Sequence, residues 1–412
     1  MSPPSYQLRG IGEPAADMKP FRTLQYHNIL PLIDDDTRTH LVPPSGFAQT
    51  LNMEQTRMVM RRNHALALCR LQPIELLPLT YGNEFNAPEL IEDLKVLAAV
   101  GDFCLKKNVE RHAEVAAVVS EEALKYLPLT NRHVRNGERQ LRYTADGKPQ
   151  NDAVAPVAFA GEAIAWQRKV LSEFGAPVDY LLAEDLANHP GDYKFYIFLD
   201  PWSCDAKFLE AVKALQQKNT TLLWLYVPGW IAEGRADVGN MAALTGIAFR
   251  KVDAVPEAVV TLPDGGWTGV VGEPLKPAFA PVAADGVNML GMYRGTDIPG
   301  LAEWRKGEAR QIFCGAYKLS ADFLRLLARE AKVHLYQTAD DPMEANQALF
   351  MLHAATPGRK HITLSHVADV LDVFNRKIIA RNVTEFEFES PLFDSRLFYY
   401  GSDAAELLEV VR

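Results

Sequence analysis

The spacing of hydrophobic and polar positions changes several times along the chain and divides it into four stretches. Residues 1–47 are irregular and Pro-rich. Within them Phe21–Ile33 reads as a strand that runs into the acidic cluster Asp34-Asp35-Asp36. Residues 48–112 read as mostly helical. Asn52 with Gln55 is a capping-box pattern, and Asn86 with Glu89, next to Pro88, is a second. Leu90, Ile91, Leu94, Leu97 and Ala98 then recur at helical spacing and predict an amphipathic helix. Between the two helices, Ile74–Leu79 is a short apolar run, read as a buried strand.

Residues 113–336 alternate between the two periods. Strands are predicted at Glu114–Val119, Val178–Ala183, Tyr193–Leu199, Thr220–Val227, Gln311–Cys314 and Val333–Tyr336. Helices are predicted at Gly161–Phe174, Asp205–Lys218 and, after a Ser320 cap, Ala321–Ala331. Repeated βα units imply an α/β domain whose parallel sheet is covered on both faces. Residues 232–310, rich in Gly and Pro, interrupt the alternation and read as an insertion. Residues 337–412 carry short strands at regular spacing, from Leu349–His353 to Arg396–Tyr400, the pattern of a small antiparallel β-sandwich.

Composition narrows the classes. With 43 Lys+Arg against 52 Asp+Glu, the net charge of -9 argues against nucleic acid and against docking to anionic membranes. No stretch is long and apolar enough for a membrane span, and Met1–Lys19 lacks a signal peptide's apolar core, so a cytoplasmic location is expected. Cys69, Cys104, Cys204 and Cys314 are widely spaced, which favours free thiols packed in cores over a zinc knuckle or disulfide framework. No cofactor and no metal site are expected. His361 and His366 lie close in sequence but read as structural.

Asp34-Asp35-Asp36-Thr37-Arg38-Thr39-His40 is the densest polar constellation. At the end of a strand, one carboxylate would serve as nucleophile or base and Arg38 would orient it. The alternative is a solvated acidic turn. Tyr81 and Glu84 follow the apolar run Ile74–Leu79, and Glu84 would sit at a strand end; the alternative is a surface loop. Cys204, just before a predicted helix, raises a Cys-His amidotransferase or peptidase site with His189; the alternative is a buried, inert thiol. Gly10-Ile11-Gly12-Glu13-Pro14-Ala15 spells GxGxxA, but no strand precedes it, so it is rejected as a dinucleotide site.

Several phrases in order carry a family resemblance: Asp36-Thr37-Arg38-Thr39-His40-Leu41, Arg61-Arg62-Asn63-His64-Ala65, Ala113-Glu114-Val115-Ala116-Ala117-Val118-Val119, Phe174-Gly175-Ala176-Pro177-Val178-Asp179, Leu223-Trp224-Leu225-Tyr226-Val227-Pro228-Gly229 and Val333-His334-Leu335-Tyr336. Together they resemble the C-terminal part of bacterial family 42 β-galactosidases. The resemblance implies three parts. Residues 1–112 would be a partial (β/α)8-barrel segment with the last strands and helices. Residues 113–336 would be a flavodoxin-like, glutamine-amidotransferase-like parallel sheet used for trimerisation, without a catalytic triad. Residues 337–412 would be the small β domain. A full barrel takes ~250 residues, so most of it, with the general acid, lies outside this chain.

The resemblance places Asp34, or else Asp35 or Asp36, near the family's nucleophile position, and Arg38, His40, Tyr81 and Glu84 near the sugar. It implies a saccharide substrate once a barrel completes the site, and a homo-oligomer, a trimer. The expected function is support of oligomerisation and completion of a glycoside hydrolase active site. A stand-alone assembly or carbohydrate-binding protein is the alternative. It would use exposed aromatic platforms, with Trp202, Trp230, Trp267 and Trp304 as candidates, unless these pack in cores.

Overall fold

The computed structural model describes residues 1–44, 48–79, 82–126 and 161–412. The chain begins with a short helix, α1 (Phe21–Tyr26), followed by strand β1 (Ile33–Asp35). Phe21–Ile33 is therefore not one strand. The pattern misled because Phe21 is buried by packing α1 onto the later sheet, where its ring lies 6.1 Å from that of Tyr180. Helix α2 (Met53–Arg70) starts as its sequence predicts: the Asn52 side chain accepts from the Gln55 N–H at 2.9 Å. Strand β2 (Ile74–Leu76) pairs in parallel with β1, Asp34 opposite Glu75. Helix α3 (Pro88–Lys106) has Pro88 in its first turn, but its N-cap is Ala87 and makes no side-chain bond. The Asn86 cap fails because Asn86 sits one residue too early, its own N–H turned back to the Asn83 carbonyl.

The next stretch builds the largest sheet. Strand β3 (Val115–Val119) leads into a helical turn, α4 (Glu121–Leu124); helix α5 (Gln167–Glu173) precedes β4 (Val178–Leu182). Then come β5 (Phe195–Phe198), α6 (Ala206–Leu215) and β6 (Thr221–Leu225). A hairpin, β7 (Ile231–Ala232) with β8 (Arg235–Ala236), is followed by helix α7 (Val238–Thr245). Strands β9 (Phe249–Val252), β10 (Ala258–Thr261), β11 (Trp267–Val270) and β12 (Ala278–Pro281) form two short antiparallel pairs. Strands β13 (Asn288–Met292), β14 (Pro299–Lys306) and β15 (Ala309–Cys314) complete the sheet, and α8 (Ala321–Glu330) packs on it.

Its order is β13-β14-β15-β6-β5-β3-β4. Five strands from β15 to β4 are parallel, and β13 and β14 add an antiparallel edge. Residues 232–310 are thus only partly an insertion, since their last strands extend the sheet. Alternate side chains of β5 feed opposite faces: Phe195 and Ile197 join Leu171, Phe323 and Leu327, while Tyr196 and Phe198 join Phe208, Val212 and Leu244. Helices on both faces explain the continuous hydrophobic strands.

Val333–Tyr336 is not a strand of this sheet. The Tyr336 N–H bonds to the Gly175 carbonyl at 2.8 Å, and the Tyr336 carbonyl accepts from the Thr363 N–H at 2.8 Å. The segment links the loop at Gly175 to strand residue Thr363 of the later sheet instead. Gly175 is required there: its φ is +106°, and a Cβ would lie 2.0 Å from the Gln337 carbonyl oxygen.

The last elements are β16 (Met343–Ala345), β17 (Leu349–His353), β18 (Gly358–Asp372), β19 (Lys377–Ser390), β20 (Ser395–Tyr400) and helix α9 (Ala404–Val411). They form one five-stranded sheet, β16-β17-β20-β18-β19, not the two facing sheets of a sandwich. The short strands expected between Leu349–His353 and Arg396–Tyr400 merge into the long β18–β19 hairpin, whose register shifts between Thr363 and Leu371. The far half of this hairpin packs Ile362, Leu364 and Phe386 onto Phe350 and Phe398. The other face, through Leu349, Met351 and Leu397, packs on α2 and α3 through Ala65, Leu66 and Val100.

Buried ion pairs join the three regions. Glu344 on β16 takes Arg70 of α2 at 2.7 Å and Arg111 at 2.8 Å, and Arg111 also holds Asp179 of β4 at 2.9 Å.

Candidate functional site

The carboxyl end of β1 divides three consecutive aspartates between different surroundings. A strand alternates its side chains, so Ile33 and Asp35 share one face and Asp34 takes the other. Ile33 packs on Ala65 and Leu66 of α2. Asp35, fully buried, accepts from the Thr37 N–H at 3.2 Å, the Thr37 hydroxyl at 2.5 Å and the Asn63 amide at 3.1 Å. His64 lies 3.8 Å away, and burial holds its imidazole below the ordinary pKa. Asp35 is therefore a structural carboxylate that anchors the loop to α2.

Asp34 differs. It is buried, and its Oδ1 has no hydrogen-bond partner. Burial first, then Asp36, Glu75 and Asp35, push its pKa up. Such a carboxyl is poised for proton transfer more readily than a solvated one. Asp36 turns to Arg9, whose guanidinium lies 2.6 Å from Oδ1, while Arg38 stands 4.0 Å from Oδ2. The acidic cluster is thus not a solvated turn; all three aspartates are buried.

The remaining predicted residues separate. The Thr39 hydroxyl donates to the backbone carbonyl of Glu84, which brings the loop after β1 against the buried Glu84 after β2. His40 turns away from the aspartates, its Nδ1 2.7 Å from the Thr56 hydroxyl in the first turn of α2. Tyr81 lies outside the described residues.

Sequence reasoning missed Arg9, Arg62 and His353. Arg62, fully buried, donates to the carbonyls of Gly10 at 2.6 Å, Glu13 at 2.7 Å and Arg9 at 2.8 Å. Burial lowers its pKa to about 10. The Gly10–Ala15 run that mimics a dinucleotide motif is thus a loop clamped by an arginine. The Gly12 N–H donates to His353 Nε2 at 2.8 Å, so that nitrogen is unprotonated and Nδ1 carries the hydrogen toward the Ser395 hydroxyl at 2.7 Å. Burial keeps this imidazole neutral, its pKa well below the usual value. The quoted phrase Arg61-Arg62-Asn63-His64 was the one available signal, since Asn63 and His64 meet Asp35 and Arg62 meets the loop.

Cys204 has the surroundings of a packed, inert thiol. It is buried, its pKa is pushed up to about 12 by burial and then Asp205, and its hydrogen bond goes to the Asp205 carbonyl. All four cysteines are buried. His361 is exposed between Glu385 and Glu387. Trp202 and Trp304 are core side chains that donate to the Ala123 and Thr245 carbonyls. Trp230 packs on Phe279, which leaves Trp267, 47% exposed, as the one solvent-facing member of the four. Among the described residues no helix is long and apolar enough to cross a membrane.

No protein-family model matches the chain, and no curated protein matches it. Solved structures do match, and they define the class: the chain has the fold of part of the family 42 glycoside hydrolases. The β-galactosidase from Bacillus circulans sp. alkalophilus aligns with a TM-score of 0.57 at 14% identity, over 84% of this chain and 52% of that one. Gan42B, a GH42 β-galactosidase from G. stearothermophilus, gives 0.56 at 14% identity, over 93% and 62%. An α-L-fucosidase isoenzyme 2 from Paenibacillus thiaminolyticus gives 0.55 at 13% identity, over 92% and 62%. The chain spans about half to three-fifths of the length of these structures.

Proposed function

We propose that this chain is the C-terminal portion of a glycoside hydrolase-like protein that acts on a saccharide. Residues 1–112 would be the end of a (β/α)8 barrel, 113–336 a glutamine-amidotransferase-like trimerisation domain and 337–412 a C-terminal β domain. The observation that carries the reading is Asp34. It stands at the carboxyl end of a parallel strand, on the face away from the helix, with an unpartnered oxygen. Barrel enzymes place their catalytic groups at that end of their strands. Asp34 is the candidate nucleophile; Asp36, held by Arg9 and Arg38, would shape its field. Exposed Trp267, Val271 and Met292 offer apolar surface that a second copy would cover.

Glycoside hydrolysis takes a pair of carboxyl groups flanking the bond, and on this reading the general acid would come from barrel strands outside residues 1–412. The isolated chain should therefore give no turnover of nitrophenyl glycosides above background. Turnover that disappears in Asp34→Asn would overturn this and make the chain an enzyme by itself. Sedimentation at micromolar concentration should show a trimer, and a monomer would count against the assembly role.

A further inference from the structure

We propose that His27, Asp185 and His189 form a binding site for a divalent cation of the zinc class, clipping α1 to the turn after β4. Their ligand atoms all lie within 4.8 Å of one another, and this is the one such group of three among the described residues. His27 Nε2 is 3.0 Å from Asp185 Oδ2, although the two residues are 158 apart in sequence.

Local structure aims each side chain. His27 caps the end of α1, its N–H bonded to the carbonyls of Thr23 and Leu24. Asp185 closes a 3-10 turn, Ala183–Asp185, and its carbonyl accepts from the N–H groups of Asn188 and His189, both at 3.0 Å. That turn returns His189 to the side of Asp185. The His189 ring stacks on Tyr26, with centroids 5.1 Å apart and planes 7° from parallel, and meets the His27 ring edge-on at 5.0 Å. Tyr26 is itself held, its hydroxyl 3.2 Å from that of Tyr193, which donates to Asp179 at 2.9 Å. Arg22 lies over the other part of this wall, 4.6 Å from the Tyr26 ring.

The donor set is two imidazoles and one carboxylate. It suits zinc and its neighbours, and not calcium or magnesium, which take oxygen ligands. Zinc bonds of ~2.0–2.2 Å put tetrahedral ligands roughly 3.3 Å apart. His27 is exposed and the other two are half-buried, which leaves their side chains room to rotate from 4.8 Å toward that spacing. Three protein ligands leave a position for water. The rival account is a plain His–Asp ion pair packed on an aromatic wall.

Zinc chloride titrated calorimetrically into the untagged full chain, in a non-coordinating buffer, separates the two. The expected result is one zinc per chain, bound at least tenfold more weakly by His27→Ala and by His189→Ala and unchanged in His361→Ala. His27→Ala removes an exposed ring, so it preserves the test if His189→Ala fails to fold. Binding in His27→Ala equal to the parent, an equal loss in His361→Ala, or no saturable binding by the parent would each overturn the site.

Discussion

Asp34 and Asp35 are neighbours with opposite duties, and one strand position decides which is which. Asp35 meets the Thr37 hydroxyl and Asn63, whereas Asp34 has an oxygen without a partner. Removing a buried acceptor that satisfies several donors costs about 2–4 kcal/mol. Asp35→Ala should cost that much in denaturant unfolding. Asp34→Asn should change stability by only about 0.5 kcal/mol, or raise it. The sign follows from its raised pKa. A carboxyl that is harder to ionise in the fold is fully accommodated below its unfolded pKa, and stability is lost as pH rises through the folded value. An asparagine escapes that loss, so any gain should grow with pH. Equal destabilisation by the two substitutions would remove the division of roles.

The element scale shows where sequence pattern suffices. Helices α2 and α3 and strands β3 to β6 are legible because burial on regular elements follows period and capping. Asn52 caps α2 as read, and Asp205 caps α6 through the Phe208 N–H at 2.7 Å. Phe21–Tyr26 misleads because one aromatic, packed against Tyr180, outweighs weak local preference. Val333–Tyr336 misleads because its partners, the Gly175 loop and Thr363 of the last sheet, are not strands of the parallel sheet. The chemistry was half legible: the acidic run pointed to the strand end, but Arg9 and His353 reach it or its loop only through tertiary folding. A further group lay outside the pattern altogether. Asp200, just past β5, accepts from the Ser120 N–H at 2.8 Å, while its Oδ2 has no partner. Burial raises its pKa to about 8. Its stability contribution is therefore complete below about pH 4 and declines as pH rises toward 8, by up to about 1.4 kcal/mol per pH unit. Asp200→Asn should raise the melting temperature at pH 8 and much less at pH 4. An equal change at both would show that Asp200 is not held neutral.

At the scale of the whole molecule, first and last residues share one framework. Glu344, Arg70, Arg111 and Asp179 lock the opening helices and both large sheets together. Such a buried network is costly to break at one member and adds little beyond a well-packed apolar contact of the same volume. Its value here is register: it fixes which faces meet. The loop at Gly12 does the same near the chain's start, its amide held by an imidazole from β17 that lies 341 residues away. A loop amide normally exchanges its hydrogen with solvent almost at once. The Gly12 amide should instead exchange on the timescale of β17 itself, and its protection, measured against the intrinsic rate at each pH, should fall once acidification charges His353 and removes its acceptor. One loop proton would thereby report, in deuterium-exchange spectra, on the closure of the entire chain.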